Sequence, residues 1–456
     1  MSLLINGISC PSLHFAGIFG SGMSAIAQYL RWTGCDISGS DRLESSADVK
    51  ATQEKLSALG CRLFPQDGSG VGAATRAVVV STAIESANPD IAAAQRRGIP
   101  VFHRSEVLSA IVSSKRTIAV AGTSGKSTVA AMLFEFLDYC GKSASVITGA
   151  GLTSLIEKGY LGNAWAGSSD LLVIEADESD GSLVRYHPDI SLFLNVSKDH
   201  KPVDETLQLF RVLATQSAHI FRNADDPLLA SLAAERTYGF AAGADCAADS
   251  LDIHPLSSTV VFRGATCELK LPGRYNVQNM LAAFCVAEYL GCAPEKLAEA
   301  AGRYRGINRR FVVYPTARGI TVVDDYAHNP EKIRAALSAA HGVGKRVLAV
   351  FQPHGFGPTR FMKDELTGAF GDSLTKDDHL FLLPIYYAGG TAQKDISSED
   401  IIAPLRSRLH AESPHSRAEL LDRLRMEARP GDCVILMGAR DPSLEAFARE
   451  LRDLLG

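Results

Sequence analysis

The sequence lacks any uninterrupted apolar run near the ~18 residues that a membrane-spanning helix needs, so membrane insertion is not expected. The stretch Met1 to His14 carries no basic residue ahead of its apolar part. A secretory signal is therefore not expected either, and the cytoplasm is the expected location. The 9 cysteines are scattered from Cys10 to Cys433 and form no C-x-x-C pair. Such thiols read as small buried hydrophobes in a reducing compartment rather than as a zinc or redox centre. Positive charge is not in excess: 46 Lys and Arg stand against 51 Asp and Glu, a formal charge of −5. That excludes a broad nucleic-acid face, which needs cations to displace counterions, but leaves room for a small basic phosphate pocket. Short-period repeats and long low-complexity segments are also missing.

What is present is an ordinary globular balance, 46% hydrophobic and 21% charged over 456 residues. At roughly 100–200 residues per domain, this length holds two to four domains, each able to bury a core. Short β-rich runs alternate with longer helical segments. Ser12–Ile18, Ala77–Ser81, Thr117–Ala121, Asp170–Ile174, Ile190–Leu194, Ile320–Val323, Arg346–Gln352, His379–Leu383 and Cys433–Met437 read as strands. Pro89–Arg97, Thr128–Tyr139, Val277–Leu290 and Pro330–Ala340 read as helices. This alternation means βαβ units and parallel sheets, an α/β class. The pattern restarts near Thr117 and near Ile320, dividing the chain into 1–113, 114–314 and 315–456. Alternating residues at Thr259–Phe262 and Thr266–Lys270 predict a small antiparallel patch inside the middle unit.

The strand Thr117–Ala121 runs into Gly122-Thr123-Ser124-Gly125-Lys126-Ser127-Thr128, with a helix directly after. Glycines let backbone N–H groups turn toward phosphates, and a helix N-terminus adds positive potential. Lys126 can reach the β- and γ-phosphates of ATP, and the hydroxyl of Ser127 or Thr128 can ligate Mg²⁺. Val120 occupies the place where the general G-x-x-x-x-G-K-[ST] pattern has its first glycine, so the loop is a tighter variant. The bland alternative is a glycine-rich turn with a solvated lysine. A buried strand next delivers Glu175-Ala176-Asp177-Glu178-Ser179-Asp180-Gly181. Carboxylates at the carboxyl end of such a strand lie in the ligand crevice, where one can bind Mg²⁺. Alternation does not choose among Glu175, Asp177 and Glu178, and a helix-capping role competes. Ile190–Leu194 then delivers Asn195-Val196-Ser197-Lys198-Asp199-His200, and His200 reads as a second metal ligand or an acceptor-site residue. In the first unit, Gly17, Gly20 and Gly22 open a helix after a strand, a pyrophosphate-binding arrangement. Asp41 after a second strand also fits NAD binding, so that alternative stands at this point.

Together these residues resemble the Mur ligase family. The likeness spans nearly the whole chain: G-T-S-G-K-S-T at 122–128, E-A-D-E-S-D-G-S at 175–182, N-x-x-x-D-H at 195–200, L-P-G-R-Y-N-V-Q-N at 271–279, G-I-N-R-R-F at 306–311, D-D-Y-A-H-N-P at 324–330 and F-Q-P-H at 351–354. The resemblance implies an α/β protein of three domains. These are a Rossmann-like N-terminal domain for a UDP-sugar, a central P-loop ATPase-type domain, and a smaller Rossmann-like C-terminal domain for the amino acid. It implies ATP as co-substrate, two Mg²⁺ ions, and amide formation through an acyl phosphate. Lys126, Glu175, His200 and Arg310 are the implied catalytic set, with Ser127, Glu175 and His200 on metal. Gly122, Thr123, Ser124, Gly125, Lys126, Ser127, Thr128, Asn276, Asn279, Arg310 and Asp325 are implied at ATP. Gly20, Ser21, Gly22, Met23, Ser24, Asp41, Ser81, Thr82 and Ala83 are implied at the UDP-sugar. His328, Asn329 and Arg360 are implied at the acceptor.

Gly17–Ser24, Val80–Ile84 and Glu175–Ser182 are most similar to the branch that joins L-alanine to UDP-N-acetylmuramate, a step of peptidoglycan precursor synthesis. Three places depart from that branch: Lys201-Pro202 after His200, His328-Asn329 in place of two histidines, and Gly355-Phe356-Gly357-Pro358 after the Q-P-H. The last two bear on the implied acceptor pocket. Attachment of a preformed tripeptide to the same sugar nucleotide is therefore the alternative. A Mur-like regulator without ligation and a P-loop kinase are further ones.

Overall fold

The protein's structure, a computed structural model, describes residues 3–44, 49–179, 181–197, 201–387, 393–441 and 443–456. It divides into two compact units, one of residues 1–253 with 257–307 and one of residues 254–256 with 308–456.

The first unit holds two parallel sheets. In the first, the strands lie in the order Arg62–Phe64, Asp36–Ser40, Ser12–Ala16, Ala77–Val80, Val101–His103, all parallel. The chain leaves Ser12–Ala16 toward one side and returns to pair on the other. The crevice at the carboxyl ends of Ser12–Ala16 and Ala77–Val80 is thus the switch point where α/β sheets place ligands. The second sheet has seven strands in the order Ala164–Trp165, Ser145–Ile147, Leu171–Ala176, Arg116–Ala121, Ile190–Phe193, His219–Asn223, Arg236–Tyr238. Only its first pair is antiparallel. Leu171–Ala176 and Ile190–Phe193 flank Arg116–Ala121, so three strand ends converge on one loop. The predicted antiparallel patch is a three-stranded sheet, Ser250–Ile253, Ser258–Phe262 and Ala265–Leu269.

Central strands here are apolar on both faces, as sheets covered by helices on both sides require. Lys126–Tyr139 and Arg274–Tyr289 cover one face, with Phe284 at 5.3 Å from Phe136 and 5.0 Å from Phe262, ring centre to ring centre. The opposite face shares one core with the first sheet: Ile26 and Leu30 belong to the same cluster as Ala121, Ile174 and Phe193. At the edge of that seam Trp32, Tyr160 and Trp165 pack edge-on or tilted, with ring centres 5.2–5.8 Å apart.

The second unit is a six-stranded sheet in the order Val312–Pro315, Thr321–Asp325, Asp432–Gly438, Arg346–Gln352, His379–Leu382, His410–Glu412, parallel except for its first pair. Apolar clusters cover both of its faces. Sequence alternation places the restart near Ile320, and the structure adds Val312–Pro315 ahead of it. Helices begin where their caps allow. Asn88 precedes Pro89, and Asn329 precedes Pro330; each asparagine side chain accepts a first-turn N–H.

One histidine of this unit has a carboxylate partner that favours its charged form. The Asp378 carboxylate accepts from Val347 N at 2.7 Å, Thr375 N at 2.7 Å and His341 Nε2 at 2.9 Å. The hydrogen bond to Asp378 raises the His341 pKa above its ordinary 6.5, against a smaller opposing effect of burial. A raised folded-state value stabilises fully below the unfolded value, and that stability is lost as pH rises through the folded value. The stability difference between the parent and His341→Gln is therefore expected to be largest below pH ~6.5 and to shrink in more alkaline buffer. Urea midpoints measured across that range check this; a constant difference contradicts the pairing.

Candidate functional site

The site grows from the three converging strand ends. Arg116–Ala121 ends in Gly122, and the loop enters its helix through Gly125 in the left-handed region, φ 89°. A Cβ on Gly125 would lie 2.8 Å from Asn279 Oδ1, and one on Gly122 would lie 2.8 Å from Leu194 Cβ. Both positions therefore require glycine. Asn195 at the end of the neighbouring strand props the loop: its Oδ1 accepts from Ser124 N and Thr123 Oγ1, each at 2.9 Å, and its Nδ2 donates to Ser124 O at 2.9 Å. Asn195 opens the N-x-x-x-D-H motif, but its local pattern assigns it no such role.

Lys126 folds back over this loop. Its Nζ donates to Gly122 O at 2.6 Å and to Glu178 Oε2 at 2.7 Å, and Asp177 Oδ1 lies at 3.9 Å. Ser127 Oγ donates to Glu175 Oε2 at 2.8 Å. Glu175 Oε1 accepts from Gly149 N at 2.9 Å and from the Thr148 hydroxyl. The three carboxylates left open by the sequence thus separate. Glu175 lies inside the last strand pairs and faces Ser127, the buried Glu178 neutralises Lys126, and Asp177 is half-exposed and accepts Ser179 N at 3.0 Å. A serine hydroxyl beside a carboxylate is a hard-oxygen donor set, which suits Mg²⁺ completed by water and phosphate oxygens. Among the described residues no three His, Cys, Asp or Glu side chains form a metal cluster, so the fit rests on this mixed pair. His200, Asp180, Lys198 and Asp199 lie outside the described residues.

Thr128 continues the helix. Asn279 stands against Gly125, on the helix that covers the loop's own helix. Asn276 is buried and donates to Pro272 O at 2.7 Å, fixing the turn that starts that helix.

At the switch point of the first sheet, Gly20 caps the helix Ser21–Trp32, which carries Gly22, Met23 and Ser24 in its first turns. Asp41 is buried; its carboxylate accepts Phe19 N at 3.0 Å and Leu43 N at 3.0 Å, holding the glycine turn. Ser81, Thr82 and Ala83 follow the strand Ala77–Val80, with Thr82 and Ala83 exposed.

In the second unit Arg310 lies over the Tyr326 ring, 5.2 Å from its centre. Burial raises the Asp325 pKa, opposed by Arg310, and the carboxylate accepts Phe311 N at 2.8 Å and Ala327 N at 2.7 Å. Its neighbours form a buried pair that no sequence pattern singles out. Arg309, at φ 58°, reaches Asp324 at 3.2 Å and Gly438 O at 2.9 Å. Burial nonetheless pushes Asp324 up to about 7. His328 hydrogen-bonds Tyr326 O through Nδ1 at 2.9 Å, and burial drives its pKa down to about 3, with Lys332 adding to the effect. The ring is therefore neutral at physiological pH. Asn329 accepts Lys332 N at 2.9 Å as a helix cap. Arg360 pairs with Asp395 and donates to Gln393 O at 3.2 Å. Tyr386 and Tyr387 are described, with Phe356 5.3 Å from Tyr387, whereas 388–392 are not.

The chain matches three family descriptions in order: the Mur ligase family catalytic domain over residues 12–116, the Mur ligase middle domain over 120–287, and the Mur ligase glutamate ligase domain over 309–440. A UDP-N-acetylmuramate–L-alanine ligase of Solibacter usitatus is 35% identical, with 94% of this chain and 92% of that protein covered. Its counterpart in Jannaschia is 36% identical over the same shares. Among solved structures, a UDP-N-acetylmuramate–alanine ligase of Thermotoga maritima superposes with a TM-score of 0.79 at 25% identity, covering 97% of this chain and 98% of that one. A murein peptide ligase of Psychrobacter arcticus gives a TM-score of 0.69 at 22% identity, covering 98% of each chain, a likeness of fold.

The props of the loop are testable on their own. Asn195→Ala is expected to weaken binding of a non-hydrolysable ATP analogue by about tenfold, or ~1.4 kcal/mol. Calorimetry on the folded variant measures this, and unchanged affinity would remove Asn195 from the site.

Proposed function

Because the chain belongs to the Mur ligase family, we propose that it joins L-alanine to the lactyl carboxylate of UDP-N-acetylmuramate at the expense of ATP, in the cytoplasm, as a step of peptidoglycan precursor synthesis. The observation that carries this reading is the convergence of Lys126, Ser127 and Glu175 at one strand–loop–helix junction, in a chain similar throughout to ligases of that name. The division of labour follows the sequence boundaries: 1–113 for the UDP-sugar, 114–314 for ATP, 315–456 for the amino acid.

In this reading the triphosphate lies along Gly122–Thr128. Lys126 exchanges its hold on Gly122 O and Glu178 for the β- and γ-phosphates. Ser127 and Glu175, with His200, would hold Mg²⁺, which when bound supplies charge neutralisation on the phosphates. The sugar carboxylate attacks the γ-phosphorus, the bond to ADP breaks, and an acyl phosphate forms. The amine nitrogen then attacks the acyl carbon and loses a proton, and phosphate leaves from the tetrahedral intermediate. No protein nucleophile is needed, so positioning and charge carry the rate. Arg310 and Asp325 serve the nucleotide. Neutral His328, Asn329 and Arg360 line the acceptor side, where the departures from the L-alanine branch also fall.

Incubation with UDP-N-acetylmuramate, ATP, Mg²⁺ and either L-alanine or a stem tripeptide, followed by mass spectrometry, separates the readings. The L-alanine adduct with stoichiometric ADP is expected. A tripeptide adduct alone would move the protein to the recycling reaction, a phosphorylated product without an amine would make it a kinase, and no product would overturn the reading. Lys126→Ala is expected to abolish ADP release, a loss on the order of 10³-fold or more; near-normal turnover would remove the lysine from the site.

A further inference from the structure

Within the first unit, one buried asparagine joins the two nucleotide-type loops. Asn163 has 6% of its surface exposed and precedes the short strand Ala164–Trp165. Its Nδ2 donates to Ser21 O at 2.7 Å and to Ser24 Oγ at 3.0 Å, both in the first turn of the helix that follows the glycine turn. Its Oδ1 accepts from Gln28 Nε2 at 2.7 Å, one turn further along the same helix. The amide orientation is fixed by this set, since flipping it would set two acceptors and two donors face to face. The main chain of the same residue points the other way. Asn163 O accepts Thr148 N at 3.0 Å, and the Thr148 hydroxyl and Gly149 N both hold Glu175 Oε1. Glu175 in turn receives Ser127.

We infer that Asn163 is a positioning residue that sets the distance between the sugar-nucleotide loop at Ser21–Ser24 and the phosphate site at Ser127–Glu175. This rests on the reading that the first loop takes the UDP-sugar and the second takes ATP. The physical reason is the scarcity of slack. The middle of the path is buried, at Ser24, Gln28, Asn163 and Thr148, its outer ends at Ser21 and Gly149 are exposed, and one residue supplies both directions. An attacking carboxylate and a γ-phosphorus must meet within a few tenths of an ångström, and a displacement of ~1 Å costs on the order of 10²-fold in rate. Asn163 touches both sides, the first loop through its side chain and Thr148 through its main chain, so the alignment passes through it.

The test compares the full-length parent with Asn163→Ala, Gln28→Leu and Leu213→Ala. The last truncates a core leucine of the helix Val203–Thr215, away from this chain of contacts, and matches the loss of stability. Turnover is read at saturating UDP-N-acetylmuramate, ATP and L-alanine, and affinity for a non-hydrolysable ATP analogue is read separately by calorimetry. Asn163→Ala is expected to lower kcat by roughly ten- to a hundredfold while analogue affinity stays within about threefold. Gln28→Leu, which frees the amide without removing it, is expected to lose less, in the same direction, and serves alone if Asn163→Ala does not fold. Leu213→Ala is expected to keep kcat despite its lower melting temperature. The proposal is overturned if kcat of the relay variants matches that of the parent or of Leu213→Ala, or if the whole effect is on analogue affinity. A parent that makes no product overturns the functional reading, and this proposal with it, which is distinct from an active parent with an equally active variant.

Discussion

The carboxylate of Glu175 is the fixed point around which the first unit is organised. It sits, partly buried, at the end of a buried parallel strand, and it takes three donors from two separate segments: Ser127 from one, Thr148 and Gly149 from the other. A partly buried carboxylate without such donors would lose part of its hydration uncompensated. Its neighbours are therefore constrained to present hydroxyl and amide groups, and in the proposed function those same groups border phosphate and metal. Glu178 performs the complementary task for Lys126, neutralising a cation that is largely removed from water.

Around that point the sheet order supplies convergence. Arg116–Ala121 is flanked by Leu171–Ala176 and Ile190–Phe193, so the phosphate loop, the carboxylates and Asn195 arrive at one edge although 72 residues separate Thr123 from Asn195. The first sheet repeats the arrangement with a different loop, and the two sheets share a core through Ile26, Leu30, Ile174 and Phe193. A common core keeps the two glycine-bearing loops in a constant relation, and in the proposal above the polar contacts of Asn163 set the value of that relation.

Much of this was legible in the amino-acid order. Long central strands such as Arg346–Gln352 and the helices opened by Asn88-Pro89 and Asn329-Pro330 carry strong local signals: the strand has its expected bounds, and the helices start as expected and end at Arg96 and Val343, one residue early and three residues late. Ser145–Ile147, Arg236–Tyr238 and Val312–Pro315 were not legible. They are short, and they take their strand conformation from a partner rather than from a pattern of their own. The loop lysine and Glu175 announce themselves through flanking glycine and strand. Thr148 and Asn163 do not, because one acts through a single hydroxyl and the other partly through its main chain, on partners up to 142 residues away. Arg309 and Arg310 are adjacent and identical in type. Both lie over the Tyr326 ring, but Arg309, with its left-handed backbone, is the one that pairs with buried Asp324.

The aromatic trio at the seam has an optical consequence. The chain contains 2 tryptophans, and both are in it: Trp32 ends the helix that starts at the glycine turn, and Trp165 lies in the edge strand of the neighbouring sheet, 5.5 Å from it. All of the indole emission of this protein therefore originates at one spot, with the two chromophores close enough to exchange excitation. Any event that pries the two sheets apart would alter the spectrum at its source, and nature has left no second indole elsewhere to dilute the signal.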